Sequence, residues 1–197
     1  MMINRLSSLC LRHISRFRSD NRGVSAIEFA MVSPLFIFLF FGTIEISQAV
    51  AIDRKTTMLA RQLSDLVSQY ATVTDSDIKN IMLAATAVMT PYAAGPTKLK
   101  SVVTAVSIDA NGVAKVAWSD TKLGNDATTG TTKFADHTLN QVITLPTALN
   151  VANTQLIWTE ITYTYNSPVS YYIIGDKLLK EQNYVRPRET STVARTT

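Results

Sequence analysis

Cysteine is almost missing from this sequence: of 197 residues only Cys10 carries a thiol. No internal disulfide is therefore available to anything downstream of it. No apolar segment precedes Cys10, so it reads as an ordinary thiol and not as a lipid-attachment residue. Histidine is nearly as scarce, with His13 and His137 alone, and a two-histidine metal site cannot be built in the body of the chain. There is no G-x-S-x-G, no Walker loop and no G-x-G-x-x-G. The expectation is of no catalytic residue, no metal and no cofactor. His137 beside Asp136 lacks the rest of a hydrolytic constellation and reads as an exposed loop histidine. Charge is thin, at 17% of residues, and between residues 24 and 52 no Lys or Arg occurs and the only acids are Glu28 and Glu45.

What is present begins with that uncharged stretch. From Phe29 to Ile44 nothing is charged, and a helix over those residues covers roughly 24 Å, so its apolar flanks are needed to reach the ~30 Å of a bilayer's hydrocarbon. With them the segment spans once. Residues 1–23 hold Arg5, Arg12, Arg16, Arg18 and Arg22 against the single acid Asp20, while the chain beyond residue 53 is nearly balanced. By the positive-inside rule, residues 1–23 form a basic cytoplasmic leader, residues 24–52 the membrane segment, and residues 53–197 an exported domain.

Three readings of the segment stand open. The small residues Ala49-Val50-Ala51 suit a secretory signal site. Against it, DRKTTMLARQLSDLVSQY (residues 53–70) places Leu59, Leu63, Leu66, Val67 and Tyr70 on one helical stripe, with Arg61, Asp65 and Ser68 off it. A cut after Ala51 would remove the start of that helix. A permanent anchor needs only the span and the charge asymmetry, with Glu28 at headgroup depth where a helix N-terminus favours an acid. The third reading uses G-V-S-A-I-E-F (residues 23–29), which resembles the type IV prepilin cleavage motif. A cut between Gly23 and Val24 leaves Glu28 fifth in the mature chain, where its carboxylate can balance the new amino group of Val24 or of a neighbouring subunit.

The wider string RGVSAIEFAMVSPLFIFLFFGTIE (residues 22–45) resembles the TadE-like segment of the tight adherence (Tad) pilus system. Arg22, Gly23, Ala26, Glu28, Phe29, Ala30, Pro34, Gly42 and Glu45 carry the likeness. Members of the related TadG kind add a von Willebrand-type domain, for which this chain is too short and lacks a D-x-S-x-S motif. The resemblance implies a minor pseudopilin in the bacterial inner membrane, a substrate of a prepilin peptidase and a partner of the major Flp-type pilin and other Tad assembly proteins. Gly23 and Val24 would be the processing pair and Glu28 the assembly charge. Ala26, Ala30, Pro34, Gly42 and Glu45 would serve helix packing or a kink: Ala26 and Ala30 permit close helix approach, Pro34 would kink the span, and Glu45 at its outer end meets Arg54, a neighbour or solvent.

The exported domain reads as α+β, a pilin-like plan in which the transmembrane helix continues into a helix packed on a small antiparallel sheet. Thr74-Asp75-Ser76-Asp77 is an N-cap signal for a second helix stopped by Pro91, with Ile78, Met82, Ala85 and Met89 on one face. Residues 100–108 and 113–118 read as a hairpin around DANG, with Val102, Val106 and Ile108 matched by Val116 and Trp118. The DANG loop lacks the other ligands of a calcium loop. Residues 120–137 read as a mobile loop by composition. In QLIWTEITYTY (residues 155–165), Ile157, Ile161, Tyr163 and Tyr165 face one side, and the tyrosines read as packing under a helix before they read as a ligand platform. YYII (171–174) and LLKEQNYV (178–185) are further strand candidates. Arg186 and Arg188 make too small a basic patch for nucleic acid and precede a polar tail. An uncut membrane-anchored scaffold and a secreted hydrolase remain the alternatives, told apart by a mature N-terminus at Val24, Met1 or Ile52.

Overall fold

The computed structural model describes residues 23–167 and 176–196. The basic leader before Gly23, Cys10 and the YYII strand candidate lie outside the described residues. Two compact units divide the chain, with the boundary between Ile44 and Glu45. A single long helix, α1 (Val24–Ser68), contributes to both.

In the first unit α1 is apolar on every side. Ile27, Phe29, Met31, Leu35, Phe36 and Phe38 are all more than half exposed, and a helix hydrophobic all round belongs in a protein core or in lipid. By length and composition this stretch can cross a membrane. The helix assignment runs unbroken through Pro34.

In the second unit α1 becomes one-sided: Ile52, Thr56, Leu59, Ala60, Leu63, Ser64, Val67 and Ser68 are buried. The expected stripe of Leu59, Leu63 and Val67 is there, with Leu66 packed at its margin. Two of its assignments change. Tyr70 is 39% exposed, because the helix ends at Ser68 and the chain tightens, Gln69 and Tyr70 donating to the carbonyls three residues back. Ser68 is buried instead. Its hydroxyl bonds back to the Asp65 carbonyl at 2.7 Å and its own carbonyl accepts the Arg188 amide at 2.9 Å, so burial leaves its polar groups satisfied.

After β1 (Thr72–Val73), helix α2 (Asp75–Thr86) starts on a complete capping box: the Thr74 side chain accepts from the Asp77 amide while the Asp77 side chain accepts from the Thr74 amide. A 3-10 turn (Ala87–Met89) follows. Ile78, Met82, Ala85 and Met89 are buried together as expected. Lys55 of α1 donates to the carbonyls of Val88 (2.8 Å) and Thr90 (2.7 Å), tying the two helices where the second runs out of internal partners.

The strands β2 (Leu99–Ile108), β3 (Ala114–Leu123), β4 (Thr132–Lys133), β5 (Thr154–Tyr165) and β6 (Lys177–Val185) form one antiparallel sheet in the order β4-β3-β2-β5-β6. A separate parallel pair joins β1 to β7 (Ala194–Arg195). One core gathers the α1 and α2 stripes with Leu99, Val103, Ala105, Trp118, Ile157, Ile161, Tyr163 and Tyr165. A smaller core on the other sheet face holds Val106, Ile108, Ala114, Leu156 and Trp158 under Ile143, Leu145 and Leu149. The alternation of β5 is thus as expected, and so is the packing of its tyrosines.

The hairpin differs in one respect. The register breaks between Ala105 and Val106, with Trp118 opposite Ala105 and Val116 opposite Val106. Ala117 is the extra residue of a bulge, which sends Trp118 to the helix side while Val116 stays on the other, so the two do not share a face. In the turn itself the Asp109 carboxylate accepts from the amides of Asn111 and Val113, both at 2.9 Å.

Residues 120–123 belong to β3 and Thr132–Lys133 to β4, not to one long loop. The polar composition misleads because Asp120 and Lys122 point inward and are held there. The Lys122 ammonium donates to the carbonyls of Asp126 (2.7 Å) and Thr129 (2.8 Å). Burial pushes its pKa down, partly opposed by Asp126. The tail also departs from expectation: Val193 is buried and Arg195 pairs with Asp120 and Asp75.

Candidate functional site

The expected processing and assembly residues lie at the start of α1. Gly23 is exposed immediately before the helix, and Val24 is its first residue. The Gly23–Val24 bond therefore sits where the backbone passes from an accessible turn into helix. Among the described residues none lies within 4 Å of a Cβ added at Gly23, and a glycine allows the close backbone approach that a peptidase cleft needs. Glu28 lies four residues on, hence one helical turn along the same side as Val24. It is exposed and is the only charged residue from Val24 to Ile44.

Ala26 and Ala30 share a helix side at the same spacing and are exposed. Pro34 has no amide hydrogen, so the Ala30 carbonyl loses its usual helical donor. The hydroxyl of Ser33 is placed against that carbonyl at 3.4 Å. Thr43, next to Gly42, similarly donates to the Leu39 carbonyl at 2.8 Å. The Ser33 hydroxyl thus lies against the carbonyl that Pro34 leaves without its helical donor, the local compensation by which a helix in lipid would tolerate a proline.

Glu45 is half-buried in the second unit. The Tyr165 hydroxyl is held above its ordinary pKa by burial first and by the negative field of Glu45 second. That hydroxyl is buried with no hydrogen-bond partner among the described residues, whereas the Tyr163 hydroxyl donates to the Ala93 carbonyl at 3.0 Å.

His137 is not the exposed loop residue the composition suggested. Its side chain is 14% exposed, its Nε2 meets a Glu160 carboxylate oxygen, and its ring lies 4.6 Å from that of Trp158, which stacks on Tyr184. Asp136 turns the other way, to Lys100 and the Thr121 hydroxyl. The two neighbours in sequence therefore do not cooperate. Among the described residues no group of three or more metal-binding side chains comes together.

Sequence reasoning missed Ser33, Lys55, Asp120, Lys122 and Arg195. The helical spacing of Ser33 to the carbonyl freed by Pro34 was the one signal that could have been read. The other four meet partners many residues away or backbone carbonyls, for which no local pattern exists.

Residues 23–63 match the model for the TadE-like protein family. The chain carries a TadE-like segment. The match covers Gly23, the apolar part of α1 and the first turns of its buried stripe, and it stops before the TadE-like helix meets β1. Neither the curated proteins nor the solved structures yield a match to the chain.

Proposed function

We propose that this protein is a non-enzymatic minor pseudopilin taking part in assembly of a Tad-type pilus. In this reading α1 anchors it in the bacterial inner membrane with residues 1–23 cytoplasmic and the sheet domain outside, and a prepilin peptidase cuts between Gly23 and Val24. The observation that carries the reading is Glu28, an exposed acid that is the only charge from Val24 to Ile44 in the apolar part of α1, one turn beyond the bond that the TadE-like match begins at.

An acid costs about 2.5–3.5 kcal/mol at the centre of a membrane helix on insertion scales, and less toward the interface. A peptidase that frees the Val24 amino group supplies a cation within reach of it, on the same chain or on the next subunit. Side-by-side packing of anchors then neutralises both charges in a place where each alone is disfavoured. The major Flp-type pilin and the other Tad assembly proteins are the partners that this packing would select.

Support against signal-peptidase release comes from α1 itself, which is continuous through Ala49, Val50 and Ala51 and buries Ile52. Mass spectrometry of the mature N-terminus tests the proposal. Val24 is the expected first residue. Met1 would leave an uncut membrane-anchored scaffold as the better reading, and Ile52 a secreted protein.

A further inference from the structure

The segment after β6 leaves the sheet through residues 186–192, mostly exposed, and then returns to the core. Val193 is 1% exposed. Its carbonyl accepts the Trp118 indole N–H at 2.9 Å, and its amide donates to the Gln155 side-chain oxygen at 2.6 Å. Ala194 and Thr196 donate to the carbonyls of Ala71 and Val73, both at 3.0 Å. The Arg195 Nε reaches Asp120 at 2.8 Å, and its other nitrogens meet Asp75 and the Val73 carbonyl.

These contacts complete groups that are already committed to the interior. Trp118 is 5% exposed, Gln155 4% and Asp120 1%. Without residues 193–196, the Trp118 N–H and the Gln155 oxygen lose the partners described, and among the described residues the Asp120 carboxylate keeps only the Thr131 hydroxyl at 2.9 Å. A sheet closed in that condition would hold an uncompensated carboxylate and unpaired polar atoms in its core, the combination that folded interiors exclude most strongly. Every strand of the sheet precedes this segment in the sequence.

We propose that residues 193–196 are a closing latch: the sheet domain does not reach its stable closed form until this segment is delivered, so completion of the fold waits on transfer of the chain as far as residue 196 across the membrane. The second half rests on the reading of the body as exported. Until then the chain remains open and able to thread, and once residues 193–196 have arrived it closes whatever the chain does beyond residue 196.

Two arms test this with the anchored full chain. In detergent, a chain stopped after Thr192 and the Arg195→Ala variant should both be cut within the sheet domain at least about tenfold faster than the parent by a dilute protease, while Arg195→Lys stays nearer the parent. A stopped chain as resistant as the parent overturns the latch. In a membrane-insertion reaction, an arrest sequence placed shortly after Thr197 keeps residues 193–196 inside the channel, and a long spacer before it lets them out. Protease added outside should cut the sheet domain of the short-spacer chain and spare the long-spacer one. Equal resistance of the two overturns the link to transfer. A body that no protease reaches until detergent is added overturns the exported reading instead, and leaves the first arm to decide the latch.

Discussion

Single side chains decide the two most localised properties of this protein. Glu28→Gln keeps the size and polarity of the side chain and removes its charge. If the carboxylate balances the amino group of Val24, the variant still inserts and is still cut after Gly23, while surface pili fall by at least about tenfold, the equivalent of about 1.4 kcal/mol of lost pairing. Filament counts by electron microscopy, with the mature N-terminus read in parallel, check both halves. Pili unchanged in number would remove the role given to Glu28. Gly124 makes a purely conformational case: its φ is +64°, and a Cβ there would lie 2.5 Å from the Pro96 nitrogen. Both the left-handed backbone and the backbone clash oppose any side chain, so Gly124→Ala should destabilise the sheet domain by about 1–3 kcal/mol, read from thermal unfolding. The Asp65–Arg188 pair is the contrasting case. Both partners are exposed, at 39% and 58%, and its removal should change stability by no more than about 1 kcal/mol.

At the scale of elements, what could be read from sequence was whatever repeats locally. The α1 stripe, the α2 N-cap and the alternation of β5 each arise from residues within one or two turns or a few strand positions of each other. The capping box at Thr74 is a direct example, and Thr74→Ala should lower stability by about 1 kcal/mol through loss of α2 initiation, measurable by urea unfolding. The bulge at Ala117 has no such signature. Nothing in VAKVAW marks one residue as extra, yet that residue exchanges the two sheet faces for everything from Trp118 to Leu123. Asp120 and Lys122 resemble loop residues in the sequence because both faces of β3 are covered from Trp118 to Lys122, so no polar-out alternation marks them as part of a strand. The partner of Asp120 is also remote, Arg195 by 75 positions, and a buried ion pair at that separation leaves no periodic trace, while Lys122 bonds backbone carbonyls, which any residue can offer. His137 is illegible for the same reason, since it lies in the loop after β4 and its partner Glu160 is on β5, 23 residues away.

For the sheet domain as a whole, acid is the condition that should open it. Asp75 is held below its ordinary value of 3.8 by hydrogen bonds from Lys133 first and Arg195 second. Asp77 is lowered by Thr74 and Asp126 by the Thr128 amide and hydroxyl. Burial raises Asp136, but Lys100 and Thr121 outweigh it and the net shift is again downward. A carboxyl with a folded pKa below its unfolded one adds stability that is complete above the unfolded value and disappears as pH falls through the folded value. Thermal midpoints should therefore be level from about pH 7 to 5 and drop below about pH 4. A midpoint that rises on acidification would contradict the sign of all four shifts. The parallel pairing of β1 with β7 also determines how the domain meets force. Tension applied between α1 and the chain beyond residue 196 pulls these two strands past each other along their length, so their hydrogen bonds are loaded together in shear and are not peeled apart in turn. The same short parallel pairing would then act as a mechanical clamp under such tension.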